Sequence, residues 1–211
     1  MNNNGIVITV GRQMGSGGRE LGRRLAKRLG IDYYDKELLT QAANEAGLCP
    51  EFFRDSDEKR PSLARGLYAC FPGINPLGSY DAEAYSRGEA LYKAQCDYIR
   101  RVAERSSCVI VGRTADYILR DYPRVCSIFV SAKTEDCIAR VRERQPELSE
   151  EQARTFVEKT NKARASFYDY YADKQWGVAS SYDLSVSTSA MSIDDLVEVI
   201  VAYLQRRFDI R

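Results

Sequence analysis

Ile6-Val-Ile-Thr-Val10 runs directly into Gly11-Arg-Gln-Met-Gly15-Ser-Gly17-Gly18-Arg19-Glu20, and Leu21, Leu25 and Leu29 follow at helical spacing. The first segment is a short β-branched run and reads as a buried strand. The last is an amphipathic helix, stopped by Gly30 in C-cap position. Between them the glycines let the backbone turn tightly and point several N–H groups at one anion. The helix N-terminus adds partial positive charge. Arg12 and Arg19 add full charges. The alternative is a plain strand-to-helix turn, but four glycines and two arginines exceed what a turn requires. The expectation is a phosphate cradle built from Gly11, Arg12, Gly15, Ser16, Gly17, Gly18, Arg19 and Glu20, with the N–H groups of Ser16–Arg19 around the anion.

The pattern GxxxxGK[ST] fits imperfectly. If Gly17-Gly18 takes the Gly-Lys place, Gly18 replaces the lysine and Arg19 follows it. If Gly18-Arg19 is the pair, Arg19 stands for lysine and Glu20 for the hydroxyl residue that holds magnesium. The sequence expectation is that Arg19 supplies the missing charge, with Arg12 its competitor, and that Glu20 ligates Mg2+.

Outward from this turn, strands alternate with helices. Ile31–Tyr34, Cys108–Val111, Val125–Val130 and Leu184–Val186 read as further strands. Helices are expected from Asp35 to about Ala46, over about 82–104, over Thr114–Arg120 and Thr134–Arg144, from Ser149-Glu-Glu-Gln152 to about Tyr171, and after Ser192. The alternation predicts an α/β fold with a parallel sheet of about five strands and helices on both faces. Ligands of such sheets bind beyond the carboxyl ends of the strands. The chain reads as one domain over 1–211. Residues 48–90, rich in proline, glycine and aromatics, form an acceptor-side insertion. Residues 134–172 form a helical lid region. Tyr68, Phe71 and Tyr80 in the insertion would cover an acceptor or form a homodimer contact; the sequence leaves both open.

Composition bounds the function. The 211 residues are 44% hydrophobic and 29% charged, with a net charge of +1. That balance argues against general nucleic-acid or membrane-surface binding. There is no histidine, which removes histidine triads, bases and metal sites. The 6 cysteines form no CxxC pair and read as reduced core residues of a cytoplasmic protein. The first residues resemble no signal peptide, and no apolar run approaches the ~20 residues of a membrane helix.

The strand and glycine turn, with Tyr34-Asp-Lys-Glu-Leu, Val109-Ile-Val-Gly-Arg113-Thr-Ala-Asp116-Tyr-Ile-Leu, Asn161-Lys-Ala-Arg164, Trp176-Gly and Tyr182-Asp-Leu, resemble the bacterial cytidylate kinase-like family. The resemblance runs from about residue 5 to 205. It implies a P-loop nucleoside-monophosphate-kinase fold, with ATP as co-substrate, Mg2+, and transfer of the γ-phosphoryl group to a CMP- or dCMP-like acceptor. Asp35, Arg113, Asn161 and Arg164 would hold that acceptor. True cytidylate kinases carry Asp-Thr-Gly-x-x-Tyr-Arg after the second strand. Here Asp35 is kept, while Thr40 and Gln41 replace the Tyr and Arg. Their Asp-Gly-Arg becomes Val111-Gly-Arg113, and their Asp-x-x-Arg becomes Asn161-x-x-Arg164.

Three local readings stand beside the resemblance. Arg113 lies just beyond a buried strand and would bind phosphate or pair with Asp116. Arg140, Arg142 and Arg144 lie on one helix. Arg140 and Arg144 share a face, and would close on the reacting group as catalytic lid cations or merely complement the helix dipole. Asp35 would serve the acceptor or only cap a helix. Two other functions stay open: nucleotide binding without transfer, and a kinase of a non-nucleotide small molecule.

Overall fold

The computed structural model describes residues 5–35 and 82–209, the side chains of 82–91 excepted. The expected helix over 35–46, the changed positions Thr40 and Gln41, and most of the 48–90 insertion lie outside the described residues. Five strands form one sheet: β1 (Val7–Arg12), β2 (Asp32–Tyr34), β3 (Cys108–Val111), β4 (Val125–Ser131) and β5 (Leu184–Ser187). Their order is β2-β3-β1-β4-β5, and every pairing is parallel. The helices among the described residues are α1 (Gly18–Leu29), α2 (Ala82–Arg105), α3 (Ala115–Ile118), α4 (Thr134–Arg144), α5 (Glu150–Tyr171) and α6 (Ile193–Phe208).

Strand pleating sorts the core into two layers. Ile6, Ile8 and Val10 pack with Leu21 and Leu25 of α1 and with Leu196, Ile200 and Leu204 of α6. Val7 and Ile110 face the other way, against Ile99 and Val102 of α2 and Ile118 of α3. A third cluster joins Ile138 and Val141 of α4 to Ala153 and Val157 of α5. The expected sheet between two helical layers is therefore present. Gly30 ends α1 in a left-handed conformation. Ser149 and Gln152 form the expected capping box of α5. Cys96, Cys108, Cys126 and Cys137 are buried free thiols. Among the described residues, no helix is long and apolar enough to cross a membrane.

One boundary differs in a way that matters. β1 does not stop at Val10 but continues through Gly11, paired with Phe129, to Arg12, paired with Val130. Gly11 is thus a strand residue rather than part of the anion turn. Its lack of a side chain admits rings: a Cβ there would lie 2.9 Å from Phe129 Cδ2 and 3.2 Å from Tyr182 Cε1. α3 is also shorter than expected: left-handed Thr114 cannot join it at the start, and Leu119 leaves helical geometry at the end.

Candidate active site

The turn from β1 to α1 is held closed by its own groups. The Gln13 carbonyl accepts from the Ser16 hydroxyl at 2.9 Å, and the Gln13 side chain accepts from Ala132 N–H at 3.1 Å. Gly15 and Gly17 have φ of 76° and 77°. A Cβ on Gly15 would overlap the carbonyl oxygen of Cys137 and lie 2.8 Å from its Cα. Ser16 is fully buried, and its carbonyl accepts from the Thr188 hydroxyl at 2.7 Å. α1 starts at Gly18, directly after left-handed Gly17. That start is compatible with the first of the two sequence registers, in which Gly17-Gly18 takes the Gly-Lys place and Arg19 follows it.

The expected cations fall into separate roles. Arg140 donates to the Gly15 carbonyl at 3.2 Å and to the Thr188 hydroxyl at 2.9 Å. Arg164 donates to the Arg12 carbonyl at 3.0 Å, and its other amino group lies 3.8 Å from Met14 Sδ. The Asn161 side chain accepts from Met14 N–H at 2.7 Å. Arg140, Asn161 and Arg164 thus brace the loop backbone from α4 and α5. Arg144 is exposed at the end of α4. Arg19 Nε donates to Asp35 Oδ2 at 2.5 Å, toward β2. Asp35 itself is 4% exposed. Tyr33 donates to the same carboxylate oxygen at 3.3 Å, and burial pushes its hydroxyl up to about 12.

Glu20, expected on magnesium, instead accepts from Arg24 at 2.7 Å and Arg23 at 2.8 Å. Those two bonds hold its carboxyl below its ordinary pKa. Among the described residues no cluster of three acidic, cysteine or histidine side chains forms a metal site. The Glu20 carboxylate is thus engaged by two arginines of its own helix in this structure.

The second part of the site is the end of β3. Gly112, Arg113 and Thr114 have φ of 77°, 65° and 52°. The last two pay the left-handed penalty of roughly 1–2 kcal/mol per residue. Gln95 of α2 donates to the Arg113 carbonyl at 3.1 Å, and the Tyr92 and Thr114 hydroxyls lie 3.2 Å apart. The turn lies against the end of β1: a Cβ on Gly112 would overlap Nη1 of Arg12. Asp116, weighed from sequence as a partner for Arg113, lies against α5 instead. It accepts from the Tyr168 hydroxyl at 2.5 Å, and burial raises its pKa against that bond.

A family model described as the cytidylate kinase-like family matches residues 7–190. The chain belongs to the cytidylate kinase-like family. A search of curated proteins returned no match. Among solved structures, an uncharacterized protein from Eubacterium ventriosum ATCC 27560 is 26% identical, with a TM-score of 0.71 over 95% of this chain and 98% of that one. Shikimate kinase from Acinetobacter baumannii, solved in complex with shikimate, is 15% identical with a TM-score of 0.52, covering 96% and 94%. Shikimate kinase from Bacteroides thetaiotaomicron is 14% identical with a TM-score of 0.53, covering 97% and 99%. At those identities the two kinases share the fold, that of the P-loop kinases.

Within this cytidylate kinase-like chain, sequence reasoning missed Gln13, Gln95 and Thr188. Gln13 lies within the glycine-rich turn but at a position with no required residue type, Gln95 and Thr188 lie outside every motif, and each acts through long-range contacts to backbone. It also missed the Asp116–Tyr168 bond, beside which the Tyr168 and Tyr182 rings lie tilted with centroids 6.3 Å apart. A carboxylate at the sheet's edge was the only available signal.

Proposed function

We propose that this chain transfers the γ-phosphoryl group of ATP to a small phosphate-bearing acceptor, a nucleoside monophosphate of the CMP or dCMP kind. The observation that carries the reading is the braced glycine turn at the end of β1 set against the Arg113 turn at the end of β3. The first supplies oriented N–H groups and a helix N-terminus for the donor phosphates. The second supplies a fixed cation for the acceptor phosphate. In-line transfer requires positioning and charge neutralisation rather than a proton-shuttling histidine, and the chain has no histidine. ATP would enter as its magnesium chelate, a substrate in which the phosphates supply the ion's ligands; no step here depends on protein ligation of the metal. Residues 134–172 would serve as the lid, hinged on the loop through Asn161, Arg164 and Arg140, and the protein would act in the cytoplasm.

A second reading, ATP binding without transfer, is favoured by one observation. Arg140 and Arg164, two cations expected near the reacting groups, donate to loop carbonyls. ATP consumption with magnesium, measured against all common nucleoside and deoxynucleoside monophosphates, separates the two. Turnover with any acceptor supports transfer. Tight ATP binding with no turnover on the panel, widened to hydroxyl-bearing small acids, supports the second reading.

A further inference from the structure

The loop of this chain has no lysine, and the side chain of another residue lies where one would start. Because β1 continues to Arg12, alternation along the strand puts Arg12 on the same face as Ile8 and Val10, the face covered by α1. Its stem passes over the first residue of that helix: a Cβ on Gly18 would lie 2.6 Å from Arg12 Cβ and 3.2 Å from its Cγ. The guanidinium ends over the β3 turn, where a Cβ on Gly112 would overlap Nη1 and lie 2.7 Å from Cζ. Gly112 is also left-handed and suits glycine for that reason. Gly18 has no such reason, since it is helical, and glycine weakens a helix relative to alanine. The space it leaves is filled chiefly by Arg12, with Val130 Cβ at 3.1 Å.

We propose that Arg12 is the cation that neutralises the terminal phosphates of ATP, having exchanged places with the P-loop lysine. The charge has moved from the first residue of α1 to the last residue of β1, and Gly18 is the gap that admits it. The inference rests on the phosphotransfer reading above. Arg164 supports it by fixing the Arg12 carbonyl at 3.0 Å, at the root of the side chain. Arg19, the cation expected from sequence, holds Asp35 on the β2 side instead. A guanidinium on a strand end offers a rigid planar fork that two phosphate oxygens can share. Its tip lies against Gly112, the residue before Arg113.

Four variants test this, read by calorimetry with MgATP and by thermal melting. Arg12→Ala is expected to weaken MgATP binding about ten- to hundredfold while keeping the fold. Gly18→Lys alone is expected to melt early, because its side chain collides with the Arg12 stem. Arg12→Ala with Gly18→Lys is expected to regain stability and most of the affinity, a lysine having returned to its usual place. Gly18→Ala is expected to destabilise the wild-type background more than the Arg12→Ala background. The proposal is overturned if Arg12→Ala binds MgATP as the parent does. It is also overturned if the double variant melts like the parent yet binds no better than Arg12→Ala. A parent that binds no MgATP overturns the phosphotransfer reading and this role with it; the melting cycle still reports whether Arg12 and Gly18 compete for one space.

Discussion

Arg19 and Asp35 meet at 2.5 Å, joining the first turn of α1 to the residue that follows β2. The arginine side chain is 58% exposed and the carboxylate 3%. The pair is therefore asymmetric: solvent can replace contacts of Arg19 but has little access to Asp35. Arg19→Ala removes a charged donor from a buried acceptor, which costs about 1–3 kcal/mol. Asp35→Ala takes one partner from an exposed cation and should cost less at Arg19's end. Urea denaturation of Arg19→Ala checks the first statement, and an unchanged midpoint would rule it out. Because this pair stands on the β2 side, we also expect Arg19→Ala to raise the acceptor KM more than it weakens ATP binding.

The loop glycines should rank by what lies beside them. Gly30 is left-handed with open space around it, so Gly30→Ala should cost only about 1 kcal/mol, the price of the conformation. Gly17→Ala adds a contact of 3.1 Å with Ile193 Cδ1, the end of a side chain that can shift. Gly15→Ala meets the Cys137 backbone, which cannot yield without moving α4. The expected order of destabilisation is Gly15 over Gly17 over Gly30, and MgATP affinity should fall in the same order. Equal denaturation midpoints for the Gly15 and Gly30 variants would contradict the tight packing of the loop on α4.

Asp116 gives a pH signature. Burial raises its pKa in the native protein above the ordinary value of 3.8, with the Tyr168 hydroxyl pulling it back. The native state therefore holds this proton to higher pH than the unfolded chain. Its contribution is full below the ordinary carboxylate range and is lost as pH rises through the raised native value. Asp116→Asn keeps an acceptor for Tyr168 and removes the titration. The variant's stability relative to the parent should rise from pH 4 toward neutrality. Urea midpoints that run parallel over that interval would show that Asp116 titrates normally.

Much of this arrangement was legible before the structure. β-branched runs such as Cys108–Val111 and Val125–Ser131 are fully or largely buried, and a buried parallel strand has a local composition that shows it. Gly30 and the Ser149–Gln152 box are local signals too, since capping chemistry acts over a few residues. What stayed hidden depends on side chains meeting across long separations. Thr188 lies 172 residues from Ser16, and Arg164 lies 152 from Arg12. No spacing rule links such residues. The reach of β1 was hidden for a related reason: Gly11 and Arg12 are poor strand formers in isolation and are held extended by Phe129 and Val130 of β4. That two-residue extension decides which way Arg12 points.

The strained turn at Arg113 yields a prediction in which stability and function separate. At φ 65° an arginine backbone is disfavoured by roughly 1–2 kcal/mol, whereas glycine adopts the conformation freely. Glycine also loosens the unfolded chain, which offsets about 0.4–1 kcal/mol of that gain. Arg113→Gly should therefore be at least as stable as the parent and more stable than Arg113→Ala, which keeps the strain. If Arg113 holds the acceptor phosphate, the same substitution removes a charged hydrogen-bonding partner. Acceptor kcat/KM should fall about ten- to hundredfold, with MgATP affinity unchanged because the donor loop is intact. A side chain kept only for folding would give the reverse, a loss of stability with normal kinetics. Strain retained at a turn that glycine would relax is expected where the side chain itself is needed. An Arg113→Gly enzyme with parental kinetics would remove Arg113 from the acceptor site.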